Sequence, residues 1–427
     1  MINRYLQRAL LALALAVPCV AMAAPPDSAQ LSRGQYLATV GNCMSCHSAP
    51  GGAPLAGGLP LKTPLGTVYS TNITPDPETG IGGYSRDEFE QAVRRGVARH
   101  GKRLYPAMPY PSYAGLSDSD IDALYAYLQH AVKPVRQTTP EPEIPWLLGM
   151  RWPLAIWNWL FVDGKPYQPD AGKSAEWNRG AYLTQAVAHC GACHTPRNVV
   201  AAERALDERS SLYLAGARVD GWSAPNLTGD QLTGLGAWSR EDVAEYLRTG
   251  RNGHATSFGP MSEVISGGTQ YLTHSDALAI ATYLKTLPGV RGEKTPFRYD
   301  PAVAVALAQG RLDKPGARRY AEYCMACHGV DGKGFRRVFP PLAGNAVVAD
   351  PDPASLIRLL LDGAVTANVA TGPAEYHMPA YGWTLDNQEL ANILTFIRTS
   401  WGNAAPAVTD ATVGRHREAQ AKQVRQP

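Results

Sequence analysis

Six cysteines in this 427-residue chain stand in three pairs, and each pair is followed directly by a histidine. Two residues separate the cysteines of a pair, so both thiols can lie on one helical turn with the histidine just beyond them. Two such thiols can add across the two vinyl groups of a haem, and the adjacent histidine can then bind the iron as its proximal ligand. The pattern therefore predicts three sites of covalent c-type haem attachment. The motifs are Cys43-Met-Ser-Cys46-His47, Cys190-Gly-Ala-Cys193-His194 and Cys324-Met-Ala-Cys327-His328.

A thioredoxin-like redox pair and a zinc site are the competing interpretations of these cysteines. A redox pair has no need of the following histidine, and a zinc finger needs a second pair of ligands nearby. Three repeats of the whole five-residue pattern favour haem over both. The seventh cysteine, Cys19, lies in the N-terminal leader, so no cysteine of the mature chain is left over for a disulfide.

The other axial ligand of each iron is predicted from a second recurring feature. Each motif is followed by a methionine in a loop rich in proline and glycine, shortly before an amphipathic helix. Electron-transfer haems usually have both axial positions filled, and methionine with histidine raises the potential of the iron. A methionine is more often core filler, but this context recurs three times. We therefore expect Met108, Met261 and Met378 to be the distal ligands, with His377 as the rival of Met378.

The segments around the motifs repeat as well, which indicates tandem domains. Arg33-Gly-Gln-Tyr-Leu37 precedes the first motif and Arg179-Gly-Ala-Tyr-Leu183 the second. Ser85 with Glu88, and Ser239 with Asp242, predict capping boxes on helices that end near Gly96 and Gly250. Apolar stripes of helical period close the units near residues 121–128, 278–284 and 390–397, and no run of alternating strands is visible.

These patterns predict an all-α chain with three tandem class I cytochrome-c-like domains joined by Pro/Trp-rich linkers. The expected boundaries are 1–23 for a signal peptide, 28–135 for the first domain, 136–172 for a Pro/Trp-rich linker, 173–290 for the second domain, 291–305 for a second linker, 306–402 for the third domain and 403–427 for a polar tail.

The N-terminus predicts export. Arg4 and Arg8 form a positively charged segment before a short apolar run over residues 9–17, and Ala21-Met22-Ala23 fits a small-x-small cleavage site. A retained membrane anchor is the alternative, but the run is short for a bilayer span. We expect a periplasmic protein.

Composition argues against nucleic acid as a partner, and it allows two roles for the tryptophan-rich linker. Charged residues make up 18% of the chain, the net charge is +3, and no basic stripe appears, so no nucleic-acid binding is expected. Four of the nine tryptophans, Trp146, Trp152, Trp157 and Trp159, crowd the linker. They predict either packing between two domains or an aromatic surface for a partner subunit or the membrane interface. The polar tail is expected to be solvated and disordered.

The chain resembles the trihaem cytochrome c subunits of bacterial membrane-bound dehydrogenase complexes, which oxidise alcohols, aldehydes, gluconate, sorbitol or fructose. The resemblance covers nearly the whole mature chain and is specific to the trihaem subunit rather than to one substrate. Besides the first motif, it rests on Tyr105-Pro-Ala-Met-Pro-Tyr110, His189-Cys-Gly-Ala-Cys-His-Thr-Pro-Arg197, Gly259-Pro-Met-Ser-Glu-Val264, Thr269-Gln-Tyr-Leu272 and Met378-Pro-Ala-Tyr381.

This resemblance implies that a separate dehydrogenase catalytic subunit, a flavoprotein or quinoprotein, oxidises the substrate. The cytochrome would pass the electrons to ubiquinone or a terminal oxidase and would associate with the membrane peripherally. Two alternatives stay open: a free periplasmic electron shuttle, and a multihaem peroxidase-type enzyme. A peroxidase needs an open iron position, against which the three methionines argue. We see no dinucleotide fingerprint and no acid–base constellation, so the chain by itself is not expected to be an enzyme.

Overall fold

The computed structural model describes residues 26–63, 65–146, 149–372 and 374–425, so the predicted signal peptide at 1–23 lies outside the described residues. The described chain is mainly helical, as predicted. It also contains three antiparallel pairs of short strands that the sequence analysis did not predict. Strands of two to four residues are too short to show an alternating pattern.

The first unit is built around two crossing helices. Helix α1 is capped by Asp27, whose side chain accepts from the backbone N–H of Gln30, and helix α5 is capped in the same way by Ser117. The predicted capping box of Ser85 and Glu88 is confirmed on α3. The elements are α1 (Ser28–Val40), α2 (Cys43–His47), β1 (Pro60–Thr63), β2 (Gly66–Tyr69), α3 (Arg86–Arg95), α4 (Tyr110–Tyr113) and α5 (Asp118–His130), with a 3₁₀ turn at Arg99–Gly101.

The linker contains a short helix, α6 (Pro153–Phe161), and the second unit then repeats the first. The capping box of Ser239 and Asp242 is confirmed, and its helix ends at Gly250 in the left-handed conformation, as the helix of the first unit ends at Gly96. The elements are α7 (Ala175–Tyr182), a π turn (Leu183–Val187), α8 (Gly191–His194), β3 (Ala217–Val219), β4 (Trp222–Ala224), α9 (Arg240–Thr249), α10 (Pro260–Gly267), a 3₁₀ turn (Thr269–Tyr271) and α11 (His274–Leu284).

The third unit has a core of its own and is completed by the tail. The elements are α12 (Ala302–Ala308), α13 (Ala317–Tyr323), α14 (Met325–His328), α15 (Ala346–Ala349), α16 (Ala354–Asp362), β5 (Ala364–Val365), β6 (His377–Met378), α17 (Asn387–Arg398) and α18 (Asp410–Arg425). The expectation of a disordered tail is wrong. Val413 of α18 is fully buried, and Arg417 donates to the backbone oxygen of Leu385 (3.0 Å) and to the Oδ1 of Asn387 (2.8 Å).

Glycines set how closely the terminal helices of each repeat cross. A Cβ on Gly34 of α1 would lie 2.0 Å from the carbonyl oxygen of Ala123 in α5, and a Cβ on Gly180 of α7 would lie 1.9 Å from that of Ala279 in α11. Real Cβ atoms cannot approach so closely, so only glycine permits these crossings. The equivalence of the two sites confirms that the first two units are copies of one structure.

The first two units share one hydrophobic core and two matching polar contacts. In the first unit Arg33 pairs with Asp120 (2.8 Å), and the hydroxyl of Tyr182 from the second unit donates to the same carboxylate (2.5 Å). In the second unit Arg179 pairs with Asp276 (2.6 Å), which accepts from Tyr36 of the first (2.6 Å). Each unit thus donates its motif-proximal tyrosine to the ion pair of the other.

The linker helix α6 has two unlike faces. Trp157 packs edge-on against the ring of Tyr110 at 5.9 Å and donates to the carbonyl of Val200. Asn158 is buried and donates to the backbone oxygen of Arg95. Trp152 and Trp159 face outward, as does Trp146 ahead of the helix. The interpretation as packing between domains is therefore confirmed for Trp157, whereas a partner or membrane surface formed by the exposed tryptophans stays a prediction. Among the described residues, no helix combines the length and the hydrophobicity needed to span a bilayer.

Candidate haem sites

All three cysteine motifs occupy the same place in their units. Each forms a single short helical turn, in α2, α8 and α14, just beyond the first long helical segment of the unit. The six thiols are free, although only two residues separate the members of each pair. Unpaired thiols on one turn, next to a histidine, are what covalent haem attachment requires.

The three motif histidines are held in one tautomer by the same contact. The Nδ1 of His47 lies 2.6 Å from the backbone oxygen of Thr71, that of His194 lies 2.8 Å from Pro225, and that of His328 lies 3.0 Å from Pro340. A carbonyl only accepts, so each Nδ1 carries the hydrogen and each Nε2 keeps its lone pair. Burial lowers the pKa of all three imidazoles, which keeps them neutral. A neutral ring with an oriented, free Nε2 is the ligand form for iron.

A buried asparagine holds the accepting carbonyl in the first two units. The side-chain oxygen of Asn72, next to Thr71, accepts from both the backbone N–H and the hydroxyl of Thr74. Asn226 makes the same two contacts with Thr228, next to Pro225. Both asparagines are almost fully buried, so each side chain stabilises a turn next to the carbonyl that accepts from the histidine.

In the third unit one cleft brings the cysteines, the motif histidine and the predicted distal methionine together. The cleft is partly open to solvent, and its lining includes Cys324, Cys327, His328, His377 and Met378. Met378 packs against the core of the unit, whereas 68% of the His377 side chain is exposed.

The other two methionines lie half-buried in equivalent places. Met108 stands two residues before helix α4, and Met261 lies in the first turn of α10, packed against Ile265 and its neighbours. Each is therefore held at the end of its loop, as Met378 is held by strand β6.

The third cleft is not built from the third unit alone, which the sequence did not indicate. Thr256, Ser257 and Phe258 of the second unit also line it. The hydroxyl of Ser257 accepts from the backbone N–H of Ala367 (3.1 Å), which ties the two units together there. These residues lie only a few positions before Met261, so the second and third sites are neighbours.

A carboxyl group beside the second motif is another residue that sequence analysis missed. Glu203 lies against Gly191, where a Cβ would come 2.7 Å from its Oε2, and this oxygen has no hydrogen-bond partner among the described residues. Burial raises the pKa of Glu203 to about 7, while Arg197 acts in the opposite direction. A lone glutamate outside any motif carries no sequence signal for such burial.

Three segments of the chain, residues 31–131, 178–288 and 314–401, match the family model described as Cytochrome c. Together they include all three cysteine motifs, all three strand pairs and the three predicted distal methionines. The chain belongs to the cytochrome c family.

Within that family the chain is similar over most of its length to cytochrome subunits of dehydrogenases. It is 48% identical over 408 residues to the gluconate 2-dehydrogenase cytochrome c subunit of Pantoea cypripedii, covering 93% of this chain and 92% of that protein. It is 46% identical to the alcohol dehydrogenase (quinone) cytochrome c subunit of Gluconacetobacter polyoxogenes, covering 95% and 87%. It is 38% identical to the fructose dehydrogenase cytochrome subunit of Gluconobacter japonicus, covering 89% and 81%. The resemblance stated from the sequence is thereby confirmed.

Proposed function

We propose that this chain is the electron-transfer subunit of a dehydrogenase complex. In this proposal it carries three covalent c-type haems and relays electrons from a flavin- or quinone-dependent catalytic subunit to ubiquinone or a respiratory oxidase. The observation that carries the proposal is the threefold repetition of two free thiols beside a histidine whose Nδ1 donates to a backbone carbonyl. The three relatives described above, each named as a cytochrome subunit of a dehydrogenase, support the choice of partner.

The chain's own residues divide the work at each site. The thioethers would be formed by Cys43 and Cys46, Cys190 and Cys193, and Cys324 and Cys327. His47, His194 and His328 would bind the iron through Nε2, and Met108, Met261 and Met378 would complete its coordination. Each bound haem would supply one-electron chemistry at its iron. The chain's own residues would hold the ligands in place, so an electron could move without a change of coordination.

We place the three haem domains at residues 28–135, 173–290 and 306–402, with linkers at 136–172 and 291–305. The helical part of the segment 403–427 then belongs to the fold of the third domain, because Val413 and Arg417 of α18 pack on it. The first two domains share one hydrophobic core.

We place the protein in the periplasm, attached peripherally to the periplasmic face of the inner membrane. The attachment is supported by an outward face formed by Ile156, Trp159 and Leu160 of α6 and by Trp152 directly before it, all more than half exposed. Their spacing puts them on one side of the helix. An exposed apolar face of this size is typical of a contact with a partner or with the interfacial zone of a bilayer.

Two other functions are weaker. A free shuttle would gain nothing from the exposed face of α6. A peroxidase-type enzyme needs an iron with a displaceable ligand, and Met378 packs against the core of the third unit, where it is held by the pairing of β6 with β5. Neither alternative explains the similarity along nearly the whole chain to dehydrogenase cytochrome subunits.

The test is reconstitution with and without a partner. The purified mature chain should contain three haems by the pyridine haemochrome assay, and none should be extracted by acidified acetone. Alone, it should not be reduced by gluconate, ethanol or fructose, but it should be reduced when the dehydrogenase subunit encoded beside it is added with its substrate. A Cys190→Ala, Cys193→Ala variant serves as the calibration and should contain two haems. A wild-type ratio of two, or reduction by a substrate without any partner, contradicts the proposal.

A further inference from the structure

A hydrogen bond joins the first and second haem-attachment segments. The Nε2 of His189 lies 3.3 Å from the backbone oxygen of Gly41. His189 directly precedes Cys190, and Gly41 stands two residues before Cys43. Because a carbonyl only accepts, the Nε2 of His189 carries the hydrogen and donates it. The contact therefore joins the backbone next to one haem thioether to the backbone next to another.

The surroundings of this contact are tightly built. The hydroxyl of Tyr113 donates to the same oxygen of Gly41 (3.2 Å), and its ring packs edge-on against His189 at 5.4 Å. Gly41 is buried, and a Cβ on it would lie 3.3 Å from the carbonyl oxygen of Val187 in the second unit. The two attachment segments are thus held against one another without room for a larger residue at Gly41.

His189 is also held in an unusual backbone conformation. Its φ is +39°, in the left-handed region that residues other than glycine rarely adopt. Such a conformation costs free energy and persists only where the surrounding structure determines it. The strained residue is thus also the one that makes the contact with Gly41 of the other unit.

We infer that His189 is a positioning residue for electron transfer between the first and second haems, through its hydrogen bond to Gly41. The inference rests on the proposed function. A continuous path of covalent bonds and one hydrogen bond couples two redox centres better than a path with a gap across space. The step is the exchange of one electron: a ferrous iron is oxidised to ferric as the other ferric iron is reduced to ferrous, and no bond breaks and no proton moves. The electron comes from the dehydrogenase partner.

The decisive variant is His189→Phe, which keeps an aromatic ring against Tyr113 and removes the donor. Tyr113→Phe is the matched control, because it removes the other hydrogen bond to the same oxygen and keeps the ring that packs against His189. A photoexcited ruthenium complex injects one electron into the oxidised holoprotein, and its redistribution is followed in the haem bands. Met108→His and Met261→His variants identify the kinetic phase of electron transfer between the first and second haems. Each variant shifts the potential of one of these two haems and should therefore change that phase.

His189→Phe should slow this phase several-fold and leave the midpoint potentials, the haem content and the methionine–iron absorption band unchanged. Tyr113→Phe should leave the phase at the wild-type rate. A merely structural role for His189 would instead alter potentials or haem content. An unchanged rate in His189→Phe overturns the inference, as does equal slowing in Tyr113→Phe.

A second pair of variants covers the case in which His189→Phe does not assemble. His189→Gln keeps a donor that can reach Gly41, and His189→Leu has none, while both bear the same left-handed backbone. The Gln variant should transfer faster than the Leu variant, and equal rates overturn the inference. Failure of the proposed function gives a different result, because the wild-type protein would then lack three haems or show no transfer phase at all.

Discussion

At the scale of single residues, the three histidines show how a local motif is completed from a distance. Each ring is oriented by a carbonyl from a loop that follows it along the chain, at Thr71, Pro225 and Pro340. This second contact fixes the tautomer and directs the free nitrogen, and such outer contacts tune the ligand as well as orient it. The three predicted distal methionines lie in less similar surroundings, so variants of Met378 and of its neighbour His377 test the ligand assignment directly.

Met378→Ala should lower the midpoint potential of one haem and remove about a third of the far-red methionine–iron absorption, because the thioether is a soft ligand that favours ferrous iron. His377→Ala is the matched neighbour, and it should change neither quantity, since its side chain is largely exposed. Potentiometric titration of the two variants beside the wild type measures both effects. The reverse pattern would make His377 the ligand.

Glu203 should make stability depend on pH in a defined window. Burial raises its pKa to about 7 in the folded protein, above the ordinary glutamate value of 4.5. Between these values the folded protein keeps a proton that the unfolded chain releases, so rising pH favours unfolding through this group. The stabilisation is fully present below pH about 4.5 and lost by pH about 7, and amounts to at most about 3 kcal/mol.

Glu203→Gln should abolish that contribution to stability. As the pH rises from 4.5 to 7.5, the melting temperature of the variant should therefore increase relative to that of the wild type. Thermal unfolding followed by circular dichroism across this range is the measurement, and Glu241→Gln, on the exposed first turn of α9, is the control. Parallel pH profiles for Glu203→Gln and the wild type would show that this carboxyl group does not titrate there.

At the scale of secondary-structure elements, helix α6 anchors the linker to the first unit on one side and exposes aromatic side chains on the other. Asn158 and Trp157 anchor it to the first unit, while Trp152 and Trp159 project into solvent. Its sequence is apolar nearly all around, so hydrophobicity alone does not say which tryptophan is packed. The contacts with Tyr110 and Val200 decide it, and they come from two other parts of the chain.

The Trp152→Ala, Trp159→Ala double variant should shift the holoprotein from the membrane fraction to the supernatant while haem content and melting temperature stay at the wild-type level. Trp157→Ala is the contrasting variant: it should lower the free energy of unfolding by about 2 kcal/mol, because it removes a partly buried ring and its contact with Tyr110. Sedimentation of membranes and thermal unfolding separate the two effects. Unaltered membrane association in the double variant would discard this face as the attachment surface.

At the scale of the whole molecule, the chain consists of a fused pair of units and a third unit with its own core. The pair is closed by the reciprocal contacts of Tyr182 with Asp120 and of Tyr36 with Asp276. The third unit contacts the second at the cleft around Ser257 and through the ion pair of Arg218 and Asp352 (2.6 Å). We therefore expect two cooperative units rather than three.

Asp120→Asn should lower the thermal transition of the first two units and leave that of the third in place. The change weakens the ion pair with Arg33 and the bond from Tyr182, and the loss of a buried charged hydrogen bond costs about 1.5–3 kcal/mol. Differential scanning calorimetry of the holoprotein resolves the transitions, and Asp352→Asn, at the contact with the third unit, is the counterpart. Three independent transitions in the wild type would refute the shared core.

The sequence by itself determined the chemistry. Haem attachment needs two thiols and a histidine within one helical turn. Five consecutive residues, Cys43 to His47 and the two equivalent motifs, are therefore enough to predict it. The capping boxes at Ser85 and Ser239 and the closing helices α5, α11 and α17 were predictable for the same reason, since caps and stripes depend on residues a few positions apart. Repetition along the chain extended the prediction to equivalent loops and methionines.

Only the tertiary structure showed which distant segments of the chain contact one another. The disordered tail expected from polar composition is instead helix α18, because Val413 and Arg417 find partners far away in the chain. The contribution of Ser257 to the third cleft, the burial of Glu203 and the bond from His189 to Gly41 likewise depend on surfaces that meet across units. Local patterns carry no record of such contacts, because their free energy arises only when distant segments are packed together.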